Sequence, residues 1–319
     1  MKLQTQIPLK KQLNNLIDYH SNILLLGSCF VENIGKKIEY YKFQNVLNPL
    51  GILFHPKALE CLITNAIEGK VYSEEDVFFH NEQWHCFEAH SKLSSSSKDE
   101  LLQHLNTQIK SANHQILSAT HIVITLGTAW VYKHIKSGFS VANCHKVPQK
   151  QFIKELLSVD EIIALLQSIT SKIREVNSKA SIVFTVSPVR HLKDGFVENT
   201  RSKAHLITAI HQLLSLRAQS RGLHYFPSYE IMMDELRDYR FYKEDMIHPN
   251  DVAVNYIWEK FQSVWISSEA QKIMSDVESI QKGIQHKPFN LKSEAHLQFI
   301  QQLKQKQKDL QSKFSHIVF

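Results

Sequence analysis

The sequence predicts an α/β protein with a mainly parallel sheet covered by helices on both faces. Three short runs rich in Val, Ile and Leu have the composition of buried strands, at residues 22–27, 121–127 and 181–186. Between them, apolar residues recur at every third or fourth position, which predicts helices. Because the segments between strands are long enough to contain a helix, parallel pairing is expected.

The predicted elements alternate between strand and helix along the chain. The first strand ends at Gly27 and is followed by a sharp turn and a helix from Val31 to Tyr41. Residues 71–97 form an inserted loop or hairpin, and Leu223 to Phe226 supply one further strand. The remaining helices are predicted at 56–67, about 98–118, 159–176 and 199–221.

The composition changes near the C-terminus. Beyond Trp258 the chain is rich in helix formers with many Gln and Lys, from Glu269 to Lys313, with an interruption at Pro288. We therefore expect an α/β catalytic domain over residues 1–262 and a C-terminal helical extension packed on it over residues 263–319.

Overall composition limits the class of protein. The chain has 319 residues, 43% hydrophobic and 21% charged, which is typical of a globular protein. Only 9 Gly and 8 Pro are present, which argues against a β-sandwich with many tight turns. The net charge is +6, but no basic run interleaves with aromatic residues, so we expect no nucleic-acid partner and only a modest attraction for anionic substrates.

Cysteine usage and hydropathy indicate the compartment. The four cysteines, Cys29, Cys61, Cys86 and Cys144, contain no CxxC pair. Residues 1–16 lack the apolar core of a signal peptide, and no stretch approaches the ~18 apolar residues that span a bilayer. We expect a reducing, cytoplasmic location and no membrane partner, and the sequence leaves the oligomeric state open.

Distinctive residues follow the three main strands. The loops that follow these strands are Gly27-Ser28-Cys29-Phe30, Gly127-Thr128-Ala129-Trp130 and Ser187-Pro188-Val189-Arg190-His191. In an open parallel sheet these loops meet in the crevice beyond the carboxyl ends of the strands. A nucleophile at a helix start also gains from the helix dipole and from backbone N–H groups.

A base is supplied by the segment Asp245-Met246-Ile247-His248. Asp245 lies three residues before His248 and can fix the tautomer of its imidazole. Pro249 stands where a helix is expected to begin, so the histidine is predicted to lie in the preceding loop.

At this point the chain resembles a known family. Gly27-Ser28-Cys29-Phe30-Val31 is similar to the signature of the GSCFA domain, a branch of the SGNH/GDSL hydrolase-like superfamily. The resemblance covers roughly residues 20 to 260. Further similar stretches are Asn48-Pro49-Leu50-Gly51, residues 126–132, Asn143 to Pro148, residues 187–191 and Tyr239-Arg240-Phe241-Tyr242. It implies a flavodoxin-like (SGNH hydrolase) three-layer fold and carboxyl-ester or O-acyl chemistry.

The resemblance leaves two candidates for the nucleophile. In the usual Gly-Asp-Ser turn of the superfamily the third residue is the nucleophile. Here the third residue is Cys29, and Ser28 takes the place of the Asp. Position favours Cys29, consistent with the lowering of a thiol pKa at a helix N-terminus and near a histidine. Ser28 is the alternative, and a third possibility is that neither reacts and Cys29 is a small buried side chain.

The resemblance also suggests oxyanion donors. Gly51 is similar to the superfamily's second donor, a glycine after the second strand, although a turn glycine is an equally good interpretation. The third donor is normally an Asn, which the segment after the second main strand lacks. Thr128 can donate in its place through its hydroxyl or backbone N–H.

Several residues are expected to bind the substrate, a small-molecule or carbohydrate ester. Arg190 and His191 can bind a carboxylate, a phosphate or a sugar hydroxyl, the alternative being an ion pair with Asp194 or Glu198. Trp84 and Trp130 can form an aromatic platform for a sugar ring, the alternative being that both are ordinary core residues. Asn48 and His145 lie in motifs shared with the family.

No metal or cofactor is expected. The adjacent residues Cys144, His145 and Lys146 would point apart in an extended segment, and the sequence offers no second pair of ligands nearby.

The leading functional hypothesis is hydrolysis of an acyl ester through a covalent acyl-enzyme. The alternative is an O-acyltransferase that modifies a glycan or polysaccharide, because such an enzyme uses the same nucleophile and base. A hypothesis from a different functional class is a non-catalytic binding module, which keeps the fold but has lost the catalytic activity. Metal-dependent phosphoester hydrolysis lacks the carboxylate cluster that would hold the ions.

Overall fold

A computed structural model describes residues 5–216 and 222–319. The strands and helices in chain order are β1 (Asn22–Gly27), α1 (Cys29–Tyr40), β2 (Gln44–Leu47), α2 (Pro56–Ile67), β3 (Phe78–His80), β4 (Gln83–His85), α3 (Lys98–Ser118), β5 (His121–Leu126), β6 (Trp130–His134), β7 (Ser140–Val141), β8 (Phe152–Leu156), α4 (Val159–Val176), β9 (Ser181–Val186), α5 (Phe196–Ser215), β10 (Leu223–Phe226), α6 (Ser228–Glu230), α7 (Asp251–Trp265), α8 (Ser268–Gln285) and α9 (Glu294–Lys313).

The central sheet has five strands in the order β10-β9-β5-β1-β2, and every neighbouring pair is parallel. Counted by chain position within this sheet, the order is 2-1-3-4-5, which is the flavodoxin-like arrangement. The predicted fold class is therefore confirmed. The strand order reverses between β1 and β5, and this is where ligands bind in such sheets.

The sheet is buried on both faces. Alternate residues of β1 point to opposite sides: Leu24 and Leu26 join one hydrophobic cluster, while Ile23 and Leu25 join the other. The first cluster contains the apolar stripes of α2, α3, α4 and α5. The second contains those of α1, α7 and α8. These two helical layers and the sheet make the predicted three-layer structure.

Most predicted boundaries match. The helices at 56–67, 98–118 and 159–176 are present with those bounds. The helix predicted at 199–221 begins earlier, at Phe196, and its described part ends at Ser215; residues 217–221 lie outside the described part of the chain. The sequence did not predict β2, because its residues are only half-buried and include the polar Gln44 and Asn45.

Two small antiparallel sheets lie outside the central sheet in the described part of the chain. The predicted insertion at 71–97 contains the β3–β4 hairpin, and β6 pairs with both β7 and β8. The extended segment expected around Cys144 is wrong: His145 and Lys146 have φ angles of 47° and 59°, so the chain turns there.

The C-terminal helices form the predicted appendage. Met274 and Val277 of α8 and Leu303 and Leu310 of α9 lie in the same hydrophobic cluster as Trp258. Within residues 5–216 and 222–319, no helix has both the length and the apolar character that a bilayer-spanning segment requires.

A substitution in the turn after β1 tests the close packing of β1 against β5. Gly27 has a φ of +132°, and a Cβ atom there would lie 2.1 Å from the carbonyl oxygen of Thr125. We expect Gly27→Ala to lower the free energy of unfolding by about 2–4 kcal/mol, from backbone strain and overpacking. Gly69→Ala is the matched control, since Gly69 also has a positive φ but no atom lies within 4 Å of its Cβ position. It should cost about 1 kcal/mol. Equal losses for both variants in urea unfolding would contradict the close β1–β5 packing.

Candidate active site

The turn after β1 gives its two candidate nucleophiles different environments. Ser28 is fully buried, and its Oγ caps helix α1 by accepting a hydrogen bond from the Phe30 N–H at 3.4 Å. Its own N–H donates to Thr125 O at 3.0 Å. Cys29 is the first residue of α1, carries a free thiol and is partly exposed. The Ser28 oxygen therefore serves as a helix cap, whereas the Cys29 residue is partly exposed.

The Cys29 thiol lies among opposing electrostatic influences. Burial raises its pKa, and the Glu32 carboxylate raises it further. The positive charge of Lys203 and the backbone N–H groups of Cys29 and Phe30 act in the opposite direction. The net direction is upward, so a base is needed to generate the thiolate at neutral pH.

Asp245 and His248 form the expected pair. His248 Nδ1 lies 2.7 Å from Asp245 Oδ2, and Asp245 Oδ1 accepts the N–H groups of Ile247 and His248, both at 2.9 Å. These backbone donors, followed by the His248 ring, lower the pKa of Asp245 to about 2. The ionised carboxylate accepts a hydrogen bond from Nδ1–H and so favours the tautomer in which Nε2 carries the lone pair of a base.

Neighbouring loops hold this pair at the edge of the sheet. The Arg190 N–H donates to Ile247 O at 3.2 Å, and the Lys243 N–H donates to His248 O at 2.8 Å. Helix α7 begins at Asp251, with Asn250 as its cap, so the predicted start at Pro249 is two residues early. His248 lies in the loop before this helix, as predicted.

Electrostatic interactions link the base to the nucleophile turn. The pKa of His191 is lowered to about 3, mainly by burial and further by the charges of Lys203 and His248. Lys203 in turn interacts with Cys29. The loops after β1 and β9 follow the carboxyl ends of parallel strands, and the hydrogen bond from the Arg190 N–H to Ile247 O ties the loop after β9 to the loop before α7. The three loops therefore lie at one edge of the sheet. In the described part of the chain, no hydrogen bond joins Cys29 Sγ to the His248 ring.

Both predicted oxyanion donors, Gly51 and Thr128, already form hydrogen bonds within the protein. The Gly51 N–H donates to Asn48 O at 2.7 Å within its turn, in line with the turn-glycine interpretation. The Thr128 N–H donates to Phe54 O at 3.2 Å. The Thr128 hydroxyl lies between Ser202 Oγ and the Trp130 N–H, at 2.9 and 3.1 Å. These donors satisfy local fold contacts, a requirement that the motif alone does not reveal.

Asn48 offers a donor that is not occupied. Its side chain is buried, and its Oδ1 accepts the Gly27 N–H at 2.8 Å, which fixes the orientation of the amide. Its Nδ2 is buried and has no hydrogen-bond partner among residues 5–216 and 222–319. An unpaired buried donor costs about 1–3 kcal/mol, so its presence beside the nucleophile turn calls for a function.

The sequence analysis missed Lys203. This lysine of α5 is 1% exposed, and its Nζ donates to Gly127 O at 2.6 Å and Ser187 O at 2.7 Å. Burial lowers its pKa to about 7. The available signal was its position: Lys203 occupies the same helical stripe as Leu206 and Ile210, where an apolar residue is expected.

The remaining predicted site residues lie in different places. Trp130 Nε1 donates to Glu198 O at 3.4 Å, and Lys154 lies 4.7 Å from its ring centre. His145 is buried in a separate aromatic cluster, where its Nε2 lies 2.7 Å from Cys86 O. No described contact joins His145 to the Cys29 turn.

Arg190 and His191 lie beside the base. The Arg190 guanidinium stacks 4.1 Å from the ring centre of Tyr242, and Asp194 pairs with Lys154, so the suggested Arg190–Asp194 ion pair is wrong. A cavity of about 190 Å³ opens here. Its lining includes Arg190, Met232, Arg237, Tyr239 and Tyr242. His191 Nε2 lies close to Gly127 and has no hydrogen-bond partner in the described part of the chain.

Metal ligands are not grouped at this edge. Across residues 5–216 and 222–319, no set of three or more His, Cys, Asp or Glu side chains is arranged to hold a metal ion.

Fold and site together define a flavodoxin-like α/β protein with a cysteine and an Asp–His pair at the carboxyl edge of its sheet. Residues 22–261 match the GSCFA family, and residues 277–319 match the C-terminal domain of GSCFA domain proteins. The chain therefore belongs to the GSCFA family.

Other comparisons add little. No curated protein matches the sequence. Among solved structures, an acetyl xylan esterase (Est2A) from the rumen bacterium Butyrivibrio proteoclasticus is similar with a TM-score of 0.40 and 10% identity. The match covers 84% of this chain and 66% of that structure, so this chain spans slightly less than two thirds of the esterase.

Proposed function

We propose that this protein hydrolyses an acyl ester through a covalent intermediate on Cys29, with His248 as the general base. The observation that carries the proposal is the arrangement of the Asp245–His248 pair, whose Nε2 is left with a lone pair, at the sheet edge that presents the Cys29 thiol. The substrate class is a small-molecule or carbohydrate ester. Residues 1–262 are proposed as the catalytic domain, with residues 263–319 as a helical extension, and the free cysteines agree with a cytoplasmic location.

The proposed reaction has two steps, acylation of Cys29 and hydrolysis of the resulting thioester. His248 Nε2 takes the proton of the Cys29 thiol, and the thiolate attacks the ester carbonyl. The alcohol leaves with the proton from His248, and a thioester on Cys29 remains. A water molecule then gives a proton to His248 and attacks the thioester. The acid leaves, and the proton returns to the Cys29 sulfur.

Cys29 is preferred over Ser28 on structural grounds. The Ser28 oxygen is buried and caps α1, so its use as a nucleophile would require the helix start to open. A lost cap costs about 1 kcal/mol, and burial further limits access to an ester. Cys29 is partly exposed, and the first N–H groups of α1 favour a negative charge on its sulfur.

Asn48 supplies the oxyanion donor that Gly51 and Thr128 do not. Its Nδ2 is unpaired, and its Oδ1 is tied to the Gly27 N–H, directly before the nucleophile turn. We assign this amide, together with the N–H of Cys29, to the developing negative charge of the ester oxygen. The hydrogen bond of Oδ1 keeps the amide oriented, but Nδ2 is buried, so neighbouring groups must move when the ester oxygen reaches it.

Arg190 is assigned to the substrate. Its guanidinium lines the cavity beside the Asp245–His248 loop, and a planar guanidinium suits a carboxylate, a phosphate or vicinal hydroxyls. His191, the next residue along the chain, is assigned to the same side of the site. A thioester on Cys29 also suits transfer to an acceptor other than water, so release of free acid separates hydrolysis from acyl transfer.

The nucleophile is tested by hydrolysis of a short-chain aryl ester. We expect Cys29→Ala to lower kcat by about 10³-fold or more and His248→Ala by about 10²–10⁴-fold, because both take part in each step. Ser28→Ala is the matched neighbour. It should lose stability through the helix cap while its turnover stays near the wild-type rate. Full activity in Cys29→Ala would exclude the cysteine as nucleophile, and loss confined to Ser28→Ala would assign the chemistry to the serine.

The oxyanion donor is tested with Asn48→Asp. This change keeps the oxygen that accepts the Gly27 N–H and replaces the Nδ2 donor with an acceptor. We expect kcat for the same aryl ester to fall about 10²–10³-fold, with a smaller change in KM. Asn45→Asp on β2 is the control, since Asn45 Nδ2 donates to Phe43 O at 3.1 Å, away from the turn. Similar kinetics in the two variants would remove Asn48 from the reaction.

A further inference from the structure

Lys203 is a buried lysine whose amino group is held by neutral partners. Its Nζ donates to the carbonyl oxygens of Gly127 and Ser187, which directly follow strands β5 and β9. No carboxylate forms an ion pair with Lys203 in the part of the chain that the structure describes. A buried charge without a counter-ion is costly, and proteins rarely keep one without a function.

The position of Lys203 brings its charge to the nucleophile turn. Gly27 lies opposite Thr125 in the β1–β5 ladder, and the Ser28 N–H donates to Thr125 O. Gly127, which holds the ammonium group, lies two residues beyond Thr125. An ammonium group has three N–H donors, and the two carbonyls occupy two of them. The positive charge of Lys203 also lowers the pKa of the Cys29 thiol, against the effect of burial.

We propose that Lys203 is a positioning residue that stabilises the Cys29 thiolate and so increases the fraction of reactive nucleophile. The inference rests on the proposed function, in which Cys29 is the nucleophile. The proton of the thiol still goes to His248, and Lys203 takes no part in that transfer. Two roles are thereby separated: His248 moves protons, and Lys203 in its protonated form, which a Cys29 thiolate favours, provides a positive charge.

The other groups around this pair support that division. Glu32 on α1 opposes the effect of Lys203 on Cys29. On the loop after β9, His191 is neutral near pH 7 because its pKa is about 3. The Tyr229 ring lies 5.8 Å from Lys203 Nζ and favours a cation.

A purely structural role makes a different prediction. If Lys203 only satisfied the carbonyls of Gly127 and Ser187, a neutral side chain with two N–H donors would serve equally well. Glutamine is such a side chain, so Lys203→Gln separates the charge from the hydrogen bonds. Lys203→Arg restores the charge. Arg201→Gln, on the exposed face of the same helix, removes a charge without touching the site.

The test is the rate of Cys29 alkylation by iodoacetamide across the pH range, followed by mass spectrometry of the Cys29 peptide. At pH 7 we expect Lys203→Gln to slow alkylation by about fivefold or more and to raise the apparent pKa of the thiol, because an opposing charge is lost. Arg201→Gln should match wild type, and Lys203→Arg should recover much of the rate. An unchanged pH profile in folded Lys203→Gln would overturn the proposal.

A second measurement needs only the wild-type protein. A positive charge beside Cys29 favours the anionic reagent iodoacetate over neutral iodoacetamide, relative to a free peptide of residues 22–37. A ratio no higher than that of the peptide would overturn the proposal even if Lys203→Gln does not fold. Both measurements report on the thiol alone. Failure of the protein to hydrolyse esters would therefore contradict the proposed function and leave the Lys203 result intact.

Discussion

The close packing of β1 against β5 is the constraint on which the site depends. Gly27 approaches the Thr125 carbonyl more closely than any Cβ atom permits, and Ser28 then donates its N–H to the same oxygen. The chain leaves the strand at this point and enters α1 at once. Cys29 is thereby fixed as the first residue of a helix at the switch point of the sheet, where free N–H groups and the helix dipole favour an anion.

The carboxyl edge of the sheet also contains a buried lysine, Lys203, close to the candidate site. Lys203 is held by the carbonyls that follow β5 and β9, and its charge acts on Cys29 and on His191. Burial keeps His191 neutral, whereas the partly exposed His248 is oriented by an ionised Asp245. The site therefore contains one histidine suited to proton transfer and one buried histidine that stays uncharged at neutral pH.

The sequence predicted the parts of the structure that rest on strong local patterns. Buried strands and amphipathic helices were located because continuous apolar runs and regular helical spacing are properties of the segment itself. Strand β2 was missed, because Gln44 and Asn45 give it no apolar run. The Asp245–His248 contact was predictable because it spans three residues.

Long-range contacts could not be predicted in the same way. Whether Gly51 and Thr128 are free to donate depends on Asn48 and Phe54, whose positions only the folded chain defines. Lys203 is separated from Cys29 by most of the α/β region, so no local pattern connects them. The signal that remained was a lysine in the apolar stripe of α5, and similar signals deserve notice in other sequences.

The central claim is that an acyl group is carried by the Cys29 sulfur. The most direct measurement is rapid acid quenching during turnover of an aryl ester, followed by peptide mass spectrometry to locate the acyl group. We predict an acyl thioester on the peptide that contains Cys29, sensitive to hydroxylamine and absent from Cys29→Ala. Ester turnover without such an adduct, or with the acyl group on Ser28 or another residue, would contradict the account.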